Sequence, residues 1–203
     1  MSKGKQLTAK SPRAYMSRQV DTKELLETFL IVCEGEKTEP LYFKSFRVPK
    51  DVIDVHGFGY NTVTLVEKAI ELSQNEEYDQ VWVVFDRDSF PAQHFNEAMS
   101  LAQKHTINVA YSNESFELWY LLHFNYCDTA LGRKQYCGKL GQILRREYQK
   151  NDPAMYEMLE RRQSDAIRNA KKLLKQYKPL IPERANPSTT VHLLVEELLR
   201  FAR

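Results

Sequence analysis

Three acidic residues stand directly after apolar segments, in positions where their carboxylates can do chemistry together. Glu34 follows the apolar run at 28–33, and Asp86 and Asp88 follow the apolar run at 81–85. Side chains two positions apart point the same way on an extended chain, so Asp86 and Asp88 can converge on one cation. Their hard oxygen ligands suit Mg²⁺ or Mn²⁺, which leave room for a phosphate. The pattern favours a metal site over the alternative, in which these acids only cap the following helices.

The segments around these acids alternate between strand and helix patterns. Continuous apolar runs at 28–33 and 81–85 are typical of strands buried on both faces, shorter strand patterns stand at 52–55 and 107–111, and helical patterns follow each of the four. This alternation predicts an α/β fold: a mainly parallel, four-stranded sheet with helices on both faces. Ligands bind such sheets at the carboxyl ends of the strands, where Glu34, Asp86 and Asp88 are expected to lie.

The two ends of the chain differ from this alternating core. Residues 1–19 carry five basic residues, no acid and no apolar period, whereas helical patterns at 140–148, 154–177 and 189–201 replace the strand patterns beyond Leu131. The sequence therefore predicts a flexible basic arm at 1–24, an α/β core at 25–130 and a basic helical extension at 131–203 packed on the core.

Composition excludes several classes of protein. No window of the 203 residues approaches the roughly 18 apolar residues of a membrane span, and the N-terminus lacks the apolar stretch of a secretory signal. Three cysteines form an odd, sparse set that does not suit a disulfide framework and fits a reducing compartment. We therefore expect a cytoplasmic protein with no membrane partner.

The net charge of +2 hides an uneven distribution of charge. Residues 20–130 carry eight bases and 19 acids, whereas residues 131–178 carry 13 bases and five acids. An acidic body with basic flanks fits a metal site beside a polyanion such as DNA or RNA, although solvated helix faces would explain the flanks equally well. The candidate phosphate contacts on the extension are Arg145, Arg146, Arg161, Arg168 and Lys172. Such contacts do not distinguish DNA from RNA.

The acidic motifs resemble a known arrangement. Glu34 after one strand and Asp86-x-Asp88 after another look like the Toprim pattern of topoisomerases, primases and overcoming-lysogenization-defect nucleases. A fuller resemblance, to the RloB family, runs from about residue 29 to 201. Its motifs are CEGEKTEPLYF at 33–43, DRD at 86–88, SNESFELWYLLHF at 112–124 and NPSTT at 186–190.

The resemblance implies a function as well as a fold. The RloB family is similar to Toprim nucleases and is associated with restriction islands and with abortive-infection defence against phage, commonly beside an AAA/ABC-type ATPase. By resemblance, the chain is a metal-dependent nuclease that works with such a partner. In that chemistry Asp86 and Asp88 bind Mg²⁺ or Mn²⁺, and Glu34 either binds a second ion or acts as general base.

Four further residues are candidate site residues, and each of them has an alternative interpretation. Glu117 opens a helix after the fourth strand and is either a further catalytic acid or a capping acid. Lys37 contacts either a phosphate at the start of the first helix or only solvent. Asn113 orients a water or holds a turn. His123 belongs to the resemblance and serves either in proton transfer or as a hydrogen-bonded core residue.

Other functional classes fit less well. Gly57-x-Gly59 lacks a third glycine, and no G-K-[ST] motif occurs, so ATP hydrolysis is expected from the partner. No tyrosine context marks a topoisomerase nucleophile, and the spacing of His123, Cys127 and Cys137 matches no strong zinc pattern. The main rival is a non-catalytic nucleic-acid-binding or adaptor subunit of an ATPase complex. The oligomeric state is left open.

Overall fold

Strands and helices alternate through the first part of the chain and give way to helices in the last part. The computed structural model describes residues 27–49, 52–88 and 91–202, so the predicted arm at 1–24 lies outside the described residues. In chain order the elements are β1 Phe29–Cys33, α1 Thr38–Lys44, β2 Ile53–Gly57, α2 Thr62–Asn75, β3 Gln80–Asp86, α3 Ala92–Lys104, β4 Asn108–Asn113, α4 Glu117–Leu122, α5 Arg133–Leu144, α6 Met155–Glu160, α7 Gln163–Leu174, β5 Ser188–Thr189 and α8 Val191–Leu199.

The strands form one sheet in the order β2-β1-β3-β4-β5. The pairs among β1 to β4 are parallel, whereas β5 runs antiparallel to β4. The chain leaves β1 for β2 on one side and later returns to β3 on the other side. The strand order therefore reverses at β1 and β3, and the carboxyl ends of these two strands form the crevice where open α/β sheets bind ligands.

Alternating side chains of β1 divide the core into two layers. Phe29, Ile31 and Cys33 pack among residues of α1 and of the helices α4 to α8. Leu30 and Val32 face the other way and pack against α2 and α3. The mainly parallel sheet and its helices on both faces agree with the sequence prediction, because a strand that is apolar at every position must be covered twice.

The fifth strand is a correction to the predicted four. β5 has no apolar run, since it is built from hydroxyl residues that hydrogen-bond to β4. The Oγ1 atom of Thr189 donates to the carbonyl of Tyr111 at 3.0 Å, and Tyr111 N–H donates to Thr190 Oγ1 at 2.9 Å. These bonds satisfy buried polar groups that a hydrophobicity pattern cannot detect.

The C-terminal helices also differ from the predicted bounds. The first begins at Arg133 rather than 140, because Gly132 N–H donates to the side chain of Gln135 at 2.8 Å and starts the helix early. It ends at Arg145, which takes a left-handed φ of 54°. The predicted helix at 154–177 is two helices, α6 and α7. Within the described ranges, none of the helices combines the length and the apolarity needed to span a membrane.

Candidate active site

The side chain of Glu34 meets the backbone of Asp86 where β1 and β3 end. Glu34 N–H donates to the carbonyl of Val84 at 2.8 Å, which extends the pairing of the two strands by one residue. The Oε2 atom of Glu34 then accepts a hydrogen bond from Asp86 N–H at 3.0 Å. Thr62, at the start of α2, contacts the other carboxylate oxygen at 3.5 Å. The strand ends therefore fix both acids at the crevice.

A cavity of about 990 Å³ opens at this crevice. Its lining includes five residues predicted from the sequence: Glu34, Lys37, Asp86, Asp88 and Glu117. Residues of the C-terminal extension complete it, because the Oγ1 hydroxyl of Thr38 donates to the carbonyl of Lys150 at 2.9 Å and draws that loop to the start of α1. The cavity is therefore formed by the sheet and the extension together.

The charged lining residues that were missing from the sequence-based site include Glu39 and Arg133. Glu39 is only 7% exposed, although it stands in the first turn of α1. Its carboxylate lies so close to Gly35 that a Cβ there would be 2.0 Å from Oε2. A sequence signal existed, since Glu39 belongs to the same strand-to-helix turn as Glu34. Arg133 is separated from the acidic motifs by many residues and gave no such signal.

Arg133 forms an ion pair with one of the acids. Its Nη2 atom is 2.9 Å from Oδ2 of Asp86, and its backbone N–H is 3.4 Å from Oε1 of Glu114. Burial raises the pKa of Asp86 well above its usual range, Glu39 and Glu117 raise it further, and Arg133 opposes them. One guanidinium group thus faces several carboxylates.

The pKa values of the neighbouring acids Glu34 and Glu39 are raised as well. Burial is the main cause that raises the pKa of Glu34, and the negative charge of Asp88 adds to it. Burial, followed by the charges of Glu117 and Glu34, raises the pKa of Glu39 to about 7. Carboxyl groups with raised pKa values in a cleft are typical of functional sites, because their charge is unfavourable until a ligand neutralises it.

The donor chemistry of the cavity fits a divalent cation. Carboxylate oxygens are the ligands that Mg²⁺ and Mn²⁺ prefer, and a cation would relieve the repulsion among Glu34, Glu39 and Asp86. The side chains are not gathered into a finished ligand set: among the described residues, no group of three or more His, Cys, Asp or Glu side chains is arranged to hold a metal. This result also gives no support to a zinc site at His123, Cys127 and Cys137.

Two glycines allow the turns around the cavity to approach closely. A Cβ on Gly57 would lie 2.5 Å from the carbonyl oxygen of Gly35 and 2.5 Å from Pro40. Gly59 has a positive φ of 67° and lies over the side chain of Glu36. The Gly57-x-Gly59 pattern therefore serves backbone packing and a left-handed turn.

Comparison with known proteins identifies the family. A family model described as "RloB-like protein" matches residues 29–198. The chain belongs to the RloB-like family. No curated protein matches the chain, and no solved structure matches it either. The family match covers β1 through most of α8 and so includes every residue of the cavity.

The predicted site residues His123 and Asn113 of this RloB-like chain lie away from the cavity lining. His123 is buried: Nδ1 is 2.9 Å from the carbonyl of Trp119, and Nε2 is 3.3 Å from Oε1 of Gln163. Burial lowers its pKa to about 4, so the ring is neutral near pH 7. The Nδ2 atom of Asn113 donates to the carbonyl of Ala185 at 2.9 Å. His123 therefore lies as a core histidine would, whereas Asn113 binds a distant loop instead of the turn at its own position.

The predicted basic contacts lie on the outside of the extension rather than in the cavity lining. Arg145 and Arg161 are exposed. Arg146 forms an ion pair with Asp152, and Arg168 forms one with Asp165 at 2.6 Å. The ammonium group of Lys172 lies 3.9 Å from the ring centre of Tyr126. The bases that line the cavity are instead Lys37, Arg133 and Lys150.

Proposed function

We propose that this RloB-like protein is a Toprim-like, metal-dependent nuclease that hydrolyses phosphodiester bonds of DNA or RNA. The main support is the contact between Glu34 and Asp86 at the carboxyl ends of β1 and β3, inside a cavity lined by both acids and bases. Phosphoryl transfer requires carboxylates that hold Mg²⁺ and cations that bind phosphate oxygens, and the cavity supplies both.

The side chains have separate tasks in this proposal. Asp86 and Asp88 hold Mg²⁺ or Mn²⁺, with Glu34 as a further ligand, and the bound ion supplies charge neutralisation at the phosphate. Lys37, which is exposed at the start of α1, and Arg133, which is half-buried, bind the phosphate oxygens. Both line the cavity.

Glu39 is our candidate for the proton acceptor, because it is buried in the cavity lining beside the proposed metal ligands. A general base works best when its pKa lies near the operating pH, and burial raises the pKa of Glu39 to about 7 in the metal-free protein. Glu34, which the sequence proposed for this role or for metal binding, is held by Asp86 N–H and is better suited to a fixed ligand. We therefore assign the attacking water's proton to Glu39. Glu117, 3% exposed and 3.4 Å from the Tyr148 hydroxyl, adds negative charge behind it.

The biological setting of the proposal follows from the family resemblance. We propose an effector of a bacterial abortive-infection defence that acts with an AAA/ABC-type ATPase. The absence of a G-K-[ST] motif supports a division of labour in which the partner hydrolyses ATP. The exposed bases of the extension, such as Arg161, are available for a longer nucleic-acid contact.

The test is cleavage of labelled single- and double-stranded DNA and RNA with Mg²⁺ or Mn²⁺, with and without the ATPase. The variant Asp86→Asn/Asp88→Asn removes the proposed ligands at nearly constant volume. The matched control, Glu67→Gln/Glu77→Gln, removes two exposed charges outside the cavity. Metal-dependent cleavage that is lost only in the Asp86/Asp88 variant supports the nuclease. Nucleic-acid binding without cleavage under every condition supports the adaptor alternative instead.

A further inference from the structure

Three aromatic rings stack in a row beside the cavity. The rings of His56 and Phe58 have centroids 5.7 Å apart with planes 9° from parallel. The rings of Phe58 and Tyr60 follow at 5.2 Å and 3°. We call His56, Phe58 and Tyr60 the ring stack. Near-parallel rings in succession form a surface on which a further flat ring can be added.

The ring stack starts on the edge strand of the sheet and continues into the turn after it. His56 lies in β2, the last strand on its side, and Phe58 and Tyr60 follow on either side of Gly59, whose φ of 67° turns the chain. The far end of the stack is fixed, because Nε2 of His56 is 2.8 Å from Oδ2 of Asp54. The hydroxyl of Tyr78 donates to the same oxygen at 2.9 Å and holds that carboxylate in place. The stack is therefore anchored where it starts on β2.

The near end of the ring stack opens into the cavity. Tyr60 is 41% exposed, more than any other Phe, Tyr or Trp among the described residues, and it lines the cavity with Gly59 and Asn61. Tyr60 ends the row of stacked rings on the cavity side. Lys37 and Arg133 line the same cavity and offer positive charge for a phosphate. An exposed aromatic ring beside cationic side chains is the combination that binds unpaired nucleotides.

We propose that Tyr60 stacks on an unpaired base of a single-stranded nucleic acid and places the adjoining phosphate in the cavity. The inference rests on the proposed function and adds the substrate class. Bases of a duplex are already stacked on their neighbours, so the exposed ring of Tyr60 favours a single strand over a double strand. Stacking is tolerant of base identity, because every base has a flat face. The site thus selects single strands and reads little sequence.

The experiment measures binding and stacking separately from cleavage. Single-stranded oligonucleotides with a 2-aminopurine base are titrated with the full-length protein in Ca²⁺, and the same strands are then used as duplexes. The variants are Tyr60→Leu, which removes the ring, and Tyr60→Phe, which keeps it. Tyr126→Leu, in the segment between α4 and α5, is the matched control outside the cavity lining. Melting temperatures confirm that each variant is folded.

The wild type and Tyr60→Phe are expected to quench 2-aminopurine fluorescence and to bind single strands about tenfold or more tightly than Tyr60→Leu does. Duplex binding is expected to be unchanged. Equal affinity and equal quenching in Tyr60→Leu, loss of quenching in Tyr126→Leu instead, or no quenching by the wild type would each overturn the inference. If binding and quenching follow Tyr60 while no metal yields cleavage, the proposed nuclease fails and the stacking site stands. If cleavage occurs but neither binding nor quenching depends on Tyr60, the stacking site fails and the proposed nuclease stands.

Discussion

The Nη2 atom of Arg133 lies 2.9 Å from Oδ2 of Asp86 and joins the start of α5 to the carboxyl end of β3. This ion pair connects the C-terminal extension to the acidic site of the sheet. Arg133 is half-buried, so the interaction is less screened than a surface ion pair would be. The same guanidinium lies beside a carboxylate that, in our proposal, also holds the metal.

Arg133→Met is expected to separate the two tasks of this arginine. Without the guanidinium, no positive charge competes with the metal for Asp86. The loss of Arg133 also raises the pKa of Asp86 further, so Mn²⁺ should bind more tightly at a pH high enough to ionise Asp86. The phosphate loses a cation, so KM should rise by about tenfold, the usual effect of losing a charge-assisted hydrogen bond of ~1.5 kcal/mol. Isothermal titration with Mn²⁺ and steady-state cleavage measure the two effects.

The control for this prediction is Arg47→Met, which removes an exposed arginine that pairs with Glu160 outside the cavity lining and should change neither quantity. Weaker Mn²⁺ binding in Arg133→Met would contradict the idea that the arginine and the metal compete for Asp86. In that case Arg133 acts by holding Asp86 in position.

Glu39→Gln is expected to change how stability depends on pH. Burial raises the pKa of Glu39 from 4.5 to about 7, so between these values the folded chain keeps a proton that the unfolded chain has lost. Rising pH therefore destabilises the wild type through this interval, and the contribution is intact only at lower pH. The amide cannot ionise, so the variant should gain stability relative to the wild type by on the order of 2 kcal/mol near pH 8.

Urea unfolding of the metal-free proteins at pH 5, 6, 7 and 8 tests this prediction. The difference between variant and wild type is the useful quantity, because buried His123 has its pKa lowered to about 4 and shifts stability in the opposite direction in both proteins. Glu67→Gln, on the exposed face of α2, is the control and should show a constant difference. A constant difference for Glu39→Gln would show that its carboxyl ionises as in the unfolded chain.

Part of this site could be predicted from the sequence. Glu34, Asp86 and Asp88 follow wholly apolar strands, and such local patterns locate carboxylates at strand ends. Arg133 could not be found this way, because its position depends on packing of α5 against α4 rather than on its neighbours in the sequence. Glu39 was missed because an acid in the first turn of a helix is normally exposed.

Two further features of the structure, the place of His123 and the ring stack, depend on more than the local sequence. His123 shares a helix face with apolar residues, and the sequence could not decide between a reactive and a core histidine. The ring stack depends on β2 being an edge strand, which is a property of sheet order. Strand order is set by contacts between distant segments, and no pattern within a single segment encodes it.

Gly57→Ala is expected to destabilise the fold where β2 meets the turn after β1. The new methyl group would lie 2.5 Å from the carbonyl oxygen of Gly35, and backbone cannot move aside as a flexible side chain can. Overpacking of this kind costs roughly 1–3 kcal/mol. The loss should appear as a lower urea midpoint with an unchanged slope.

Gly138→Ala is the matched control for that prediction. Gly138 lies inside α5, and a Cβ there meets no atom within 4 Å. Alanine is the better helix former by about 1 kcal/mol, so this variant should be stabilised. If both glycine variants shift stability in the same direction, the close approach of Gly57 to Gly35 does not constrain the fold.

The central claim is that the acids at the ends of β1 and β3 hold a metal that the reaction requires. The most direct measurement is Mn²⁺-dependent cleavage of single-stranded DNA and RNA, with the ATPase present, by the wild type and by Asp86→Asn/Asp88→Asn. In parallel, the rise in melting temperature with Mn²⁺ reports binding without catalysis. We predict that the variant folds, loses the Mn²⁺-induced rise and loses cleavage, while Glu67→Gln/Glu77→Gln keeps both. Equal cleavage by the variant, or an unchanged Mn²⁺ effect on its melting temperature, would contradict the claim.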